Sequence, residues 1–186
     1  MSEQLPVGGY VARIERVEKK ISKTGSPYLQ LTLDVAEGPY TGWYRKDLQS
    51  RMGGRYEARH KGTYTLFYPL DDGPRRDGWT HDTFTRFQDF LRKSNDGFSW
   101  GASDDPQALV GKIIGIVVRE VEWNGYVFNR IGKFVSAGAI RTNNYKLMER
   151  KKERSTAQPS SPIPAPQTPD IPLGFTVVEN PPDLPF

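Results

Sequence analysis

Asn124-Gly125 sits between two runs rich in β-branched and aromatic residues, 112–122 (KIIGIVVREVE) and 126–135 (YVFNRIGKFV). A two-residue hairpin turn needs positive φ at both central positions, and Asn-Gly meets that need at little steric cost. The spacing therefore predicts a β-hairpin.

The first half of the chain also reads as strand. Residues 9–21 are β-rich and run into the turn signal Lys23-Thr24-Gly25-Ser26-Pro27. Leu29, Leu31, Leu33 and Val35 then alternate with Tyr28, Gln30, Thr32 and Asp34, the period of a half-buried strand. Gly38-Pro39 and Gly42 break the chain before a third expected strand, Trp43 to Leu48, and Thr63 to Tyr68 is a further β-prone run. One helix is expected from about residue 81 to 94, capped by Thr80 or Asp82, with Phe84, Phe87, Gln88 and Leu91 on one face. Asp105-Pro106 predicts a short helical turn that stops at Gly111. The expected fold is mainly β: a five-stranded OB-like barrel with one inserted helix and a disordered C-terminal tail.

Composition shifts after Tyr145. Residues 146–154 (KLMERKKER) are highly charged, read as a terminal helical turn, and residues 155–172 are Pro/Ser-rich without apolar periodicity. Such a segment buries too little apolar surface to offset chain entropy, so a disordered linker is expected. The domain reading is a body over 1–145, a linker over 146–172 and a tip over 173–186. Residues 155–186 hold no Lys or Arg and three acids, so residues 1–154 carry all 26 basic residues against 19 acids. A basic body suggests a polyanionic ligand.

Several classes drop out. Without cysteine there are no disulfides or thiolate metal sites, and with only His60 and His81 a zinc site is set aside. No metal or cofactor is expected. No apolar run approaches a membrane span and no signal-peptide profile opens the chain, so a cytoplasmic protein is the default. Asp71-Asp72 and Asp104-Asp105 offer carboxylates to a Mg²⁺-dependent nuclease, but acids in such loops are ordinarily solvated. No catalytic residue is assigned. A protein-only adaptor is the other alternative.

What the body does carry is aromatic residues interleaved with basic ones, the mixture single-stranded nucleic acid requires: cations for phosphates and flat rings for unpaired bases. Strand parity selects Tyr28 as outward. On the expected third strand it places Trp43 with Arg45, opposite Tyr44 and Lys46. On the last strand it sets Val127, Ile131 and Val135 inward and Phe128 and Arg130 outward. Tyr56, Arg59, Lys61, Arg119 and Lys133 complete the candidate nucleic-acid contacts. The chain ends Asp183-Leu184-Pro185-Phe186. A terminal ring with a free carboxylate is a two-part handle for a partner protein.

That ending resembles the C-terminal tip of bacterial single-stranded DNA-binding proteins, although only Asp183 and Glu179 supply acid beside it. Leu5-Pro6-Val7-Gly8-Gly9-Tyr10, Ser22 to Pro27 leading into Leu29-Gln30-Leu31, Leu109-Val110-Gly111-Lys112, Trp123-Asn124-Gly125-Tyr126 and Asn129-Arg130-Ile131 are similar to a single-stranded DNA-binding family encoded in phage and mobile-element replication modules. The resemblance spans most of residues 5–136. It implies an OB-like fold and single-stranded DNA as partner. The tip would recruit a replication or recombination protein: a helicase, primase, polymerase or recombinase. Homo-oligomerisation is left open.

Overall fold

The computed structural model describes residues 4–54, 58–69 and 74–153, all within a compact unit that runs from Met1 to Arg154. The tail expected beyond it lies outside the described residues. Among the described residues six strands form one sheet: β1 (Gly8–Ile21), β2 (Pro27–Val35), β3 (Thr63–Phe67), β4 (Ile113–Trp123), β5 (Tyr126–Val135) and β6 (Lys151–Glu153). Three helices accompany them, α1 (Trp43–Arg51), α2 (Pro74–Ser94) and α3 (Ala137–Arg141), with a 3-10 turn at Pro106–Leu109. The class is mainly β.

The main path runs β3-β2-β1-β4-β5, antiparallel throughout, and β6 adds to β4 in parallel. β1 is shared. Its Gly8–Arg13 half pairs with β4, and from Ala12 to Ile21 it pairs with β2, with a bulge at Glu15 between the registered residues Ile14 and Arg16. The bulge bends the strand so that it can serve both neighbours. The sheet does not close by hydrogen bonding: β3 and β5 end the path. Their edges meet through side chains instead, with the Tyr64 and Phe134 rings 4.5 Å apart. An OB-like fold is compatible with this arrangement, with an open seam where a closed barrel was expected.

Leu29, Leu31 and Leu33 of β2, Ile14 and Val17 of β1, and Ile114, Ile116 and Val118 of β4 fill the core. Phe84, Phe87 and Leu91 of α2 cover it, the face that their helical spacing predicted. α2 starts earlier than expected, at Pro74, so Thr80 is a buried residue within it rather than its cap. The turn at Asp105 is as expected: its carboxylate accepts the Gln107 N–H at 3.0 Å. So is the hairpin, with Asn124 at φ 49° and Gly125 at φ 79°.

Three expectations fail. Trp43 to Leu48 is helix, not strand. Its first turn is capped across the chain, the Tyr44 N–H donating to the buried Asp34 carboxylate at 2.9 Å. Arg, Lys, Leu and Gln are good helix formers, so once capped the segment coils. Tyr44 and Asp47, three apart, then become its buried face. On β5 the ladder skips Gly132, where Val117 pairs with Lys133 but Val118 pairs with Ile131. The bulge reverses parity. Ile131 is buried as expected, but beyond the bulge Phe134 takes the inward place expected of Val135, and Val127, expected inward, is exposed near the hairpin turn. The charged stretch read as a helical turn instead supplies β6, fastened by Arg150 to Glu120 at 2.7 Å.

One corner joins α1 to the sheet. The Gly62 carbonyl accepts the Leu33 N–H at 2.7 Å. A methyl group on Gly62 would press into the Leu33 carbonyl oxygen and, at 2.5 Å, into the Tyr44 ring. His60 Nδ1 accepts the Gly62 N–H at 3.2 Å, so the imidazole is held neutral. Burial, partly opposed by Asp34, Glu15 and Asp47, pushes the His60 pKa down.

Gly62→Ala is expected to cost about 1–3 kcal/mol in urea unfolding through overpacking, and an unchanged midpoint would refute the clash. For His60, the unfolded chain binds the proton more readily than the fold. Its contribution is therefore present above the unfolded value of about 6.5 and is lost as pH falls through the lower folded value. Urea midpoints should drop on acidification through that window, and less steeply in His60→Gln. Equal slopes would sink this assignment.

Candidate nucleic-acid interface

The corner that Gly62 holds places Lys61 opposite the first turn of α1. Between them and β5 opens a cleft of about 480 Å³ lined by Trp43, Tyr44, Lys61, Phe128 and Arg130, with Leu5 behind. Four of these, Trp43, Lys61, Phe128 and Arg130, are among the residues singled out in the sequence, and they come from three separate segments.

Each wall is braced. Trp43 meets the Tyr40 ring edge-on at 5.4 Å, and Tyr40 meets Tyr10 edge-on at 5.6 Å. The Tyr10 hydroxyl donates to the Pro6 carbonyl at 2.8 Å, and burial foremost pushes its pKa up to about 12, so it remains a donor. On the facing wall, Asn129 Nδ2 donates to the Leu5 carbonyl at 2.9 Å, and the Asn129 N–H donates to Gln4 Oε1 at 2.6 Å. These bonds stitch residues 4 and 5 along β5, fixing Phe128 and Arg130 beside them. Lys61 Nζ lies 2.9 Å from Asp47 Oδ1, while Arg51 Nε donates to Asp47 Oδ2 at 3.0 Å. The buried Asp47 carboxylate thus ties Lys61 and Arg51 together at the lip.

The other singled-out residues do not share this cleft. Arg45 is turned away from it, hydrogen-bonded to Glu15 and 3.8 Å from Asp34. Its pairing with Trp43 assumed a strand, and on a helix successive residues diverge. Tyr28 sits on the outer face of β2, where its ring lies 5.5 Å from Phe67, its register partner on β3. Arg59 is exposed and its carbonyl accepts from Arg51 at 2.8 Å. Lys133 lines a second, smaller cleft of about 320 Å³ at the β3–β5 seam, with Tyr64, Arg86, Phe90 and Phe134. Arg119 stands opposite Arg130 in the β4–β5 register. Tyr56, Asp71-Asp72 and the tip residues Asp183, Leu184, Pro185 and Phe186 lie outside the described residues.

Sequence reasoning missed two large exposed rings. Trp123 and Tyr126 are register partners flanking the hairpin turn, 49% and 73% exposed. A ring on each side of a two-residue turn projects past the body, and that position was legible.

The loop acids have structural work. Asp104 accepts the Gly101 N–H at 2.6 Å, and Asp105 caps the 3-10 turn. Among the described residues no three His, Cys, Asp or Glu side chains gather as a metal site. No described helix is long and apolar enough to cross a membrane. No family model matches this chain, and neither does any curated protein.

Proposed function

We propose that this chain binds and protects single-stranded DNA without regard to sequence during replication or recombination, as a protein of the phage and mobile-element single-stranded DNA-binding type working in the bacterial cytoplasm. The observation that carries this reading is the cleft in which Trp43 and Phe128 face the cations Lys61 and Arg130. Unpaired bases stack on the rings, and phosphates track the positive lip. Every base has a π-face, so stacking is sequence-tolerant, and each stacked base contributes about 1–3 kcal/mol. The exposed rings of Trp123 and Tyr126 extend the stacking surface at the hairpin tip. Duplex DNA, whose bases are already paired and stacked, gains nothing from such a cleft. The tip, Asp183 to Phe186, offers a partner enzyme its ring and carboxylate together, at the end of a proline-rich tether.

Quenching of the tryptophans should accompany titration with oligo-dT and be much weaker with duplex. Affinity should fall with salt at a slope of about −0.7 per neutralised phosphate. Phe128→Ala should weaken oligo-dT binding by about 1–3 kcal/mol. Affinity indifferent to salt, or to Phe128→Ala, would overturn the mechanism. Deleting Phe186 should leave DNA affinity intact and abolish co-purification of host replication or recombination enzymes. Undiminished recovery of those enzymes would remove the recruitment role.

A further inference from the structure

The smaller cleft lies where β3 and β5, the two ends of the sheet path, fail to join by hydrogen bonds. Its floor is braced aromatic packing. The Phe134 ring meets Phe87 at 5.1 Å and Tyr64 at 4.5 Å, both edge-on. Phe87 and Phe134 are buried, whereas Tyr64 and Phe90 are half-buried and keep ring surface toward the opening. Arg86 and Lys133 supply the cations. Arg86 lies 3.0 Å from Asp82, but both side chains are more than half exposed, and such a pair yields to another anion at little cost. The volume, about 320 Å³, falls within the range of roughly 300–1,000 Å³ found for small-ligand sites.

The bulge at Gly132 gives the cleft both of its main β5 contributions. On a regular strand Lys133 would share the inward side of Ile131, and Phe134 would point out. With the extra residue, Phe134 stands opposite the core residue Ile116 and is buried under the cleft. Lys133 stands opposite Val117, and Arg130 opposite Arg119, so these two cations project from the same face of β5. The two clefts therefore open along one strand, the first from Phe128 to Arg130 and the second from Gly132 to Val135. Phe128 and Lys133 are separated by roughly 13–16 Å of strand, the lower figure if the bulged residue adds no length.

Rings beside cations are the same mixture in both clefts, and β5 makes them continuous. We propose that the seam cleft is a second base site for the same single strand of DNA, which lies along β5 with one base in each cleft and the intervening nucleotides outside both. Phe90 and Tyr64 receive the base, and Lys133 and Arg86 meet its phosphates. This rests on the single-stranded DNA reading above and adds to it a minimum length, because only a strand that covers β5 engages both sites.

The test is a length series of labelled oligo-dT across the range of about 4–16 nucleotides that such folds cover, followed by fluorescence anisotropy. In the wild type, affinity should climb by roughly tenfold in one step once the strand reaches the seam. Phe90→Ala should erase that step, and Lys133→Gln should shrink it, while both bind the shortest strands as the wild type does. With long strands Lys133→Gln should also flatten the salt slope by about 0.7, one phosphate. Phe128→Ala, in the first cleft, should weaken short and long strands alike. If Phe90→Ala fails to fold, Lys133→Gln at its half-exposed position still decides the matter. A smooth rise with length, a step that both variants retain, or equal losses for short and long strands in both variants overturns the second site. Failure of the wild type to bind oligo-dT of any length would instead remove the parent reading.

Discussion

Everything in this body depends on β1 pairing on both edges. Its first half gives hydrogen bonds to β4 and its second half to β2, and the Glu15 bulge lets one strand turn between them. Straight pairing would put the β4–β5 hairpin and the β2–α1 connection in one flat sheet. Bending brings Phe128 and Arg130 round to face Trp43. The same bulge carries Glu15 to Arg45. One irregularity in one strand thus builds a cleft and removes a cation from it.

Carboxylates decide where several of the positive side chains point. Asp34 caps α1 and draws Arg45 toward the outer side. Asp47, also buried, holds Arg51 and Lys61. Burying a carboxylate without partners is strongly unfavourable, so each must gather hydrogen bonds or cations from whatever lies near. The positions of Arg45, Arg51 and Lys61 follow from this requirement. Among the described residues Lys61 and Arg130 are the basic side chains that reach the lining of the cleft, although the body is rich in basic residues.

The β4–β5 ladder departs from the usual rules of pairing at two places. A sheet optimised for itself would not set Arg119 against Arg130, nor give up a side chain at position 132. Local rules of pairing are broken there, in the strands that border both clefts. Sites that break such rules are where function is expected to sit.

What could be read from the residues alone was local. Asn124-Gly125 made a hairpin because two positive φ values are an intrinsic preference of that pair, and β2 was legible because its leucines alternate. Asp105-Pro106 capped its turn within two residues of itself. What could not be read was set by contacts distant in sequence. Trp43 to Leu48, expected as a strand after the breakers Gly38-Pro39 and Gly42, coils with Asp34 capping its first turn. Phe134 rather than Val135 turned inward because a bulge at Gly132 shifted the end of β5 against β4. Arg45 and Lys61 look alike in sequence, but one meets Glu15 and the other lines the cleft. Dihedral preference acts over a few residues, whereas the fate of a charge depends on which carboxylate the fold carries to its side, and that requires the whole sheet.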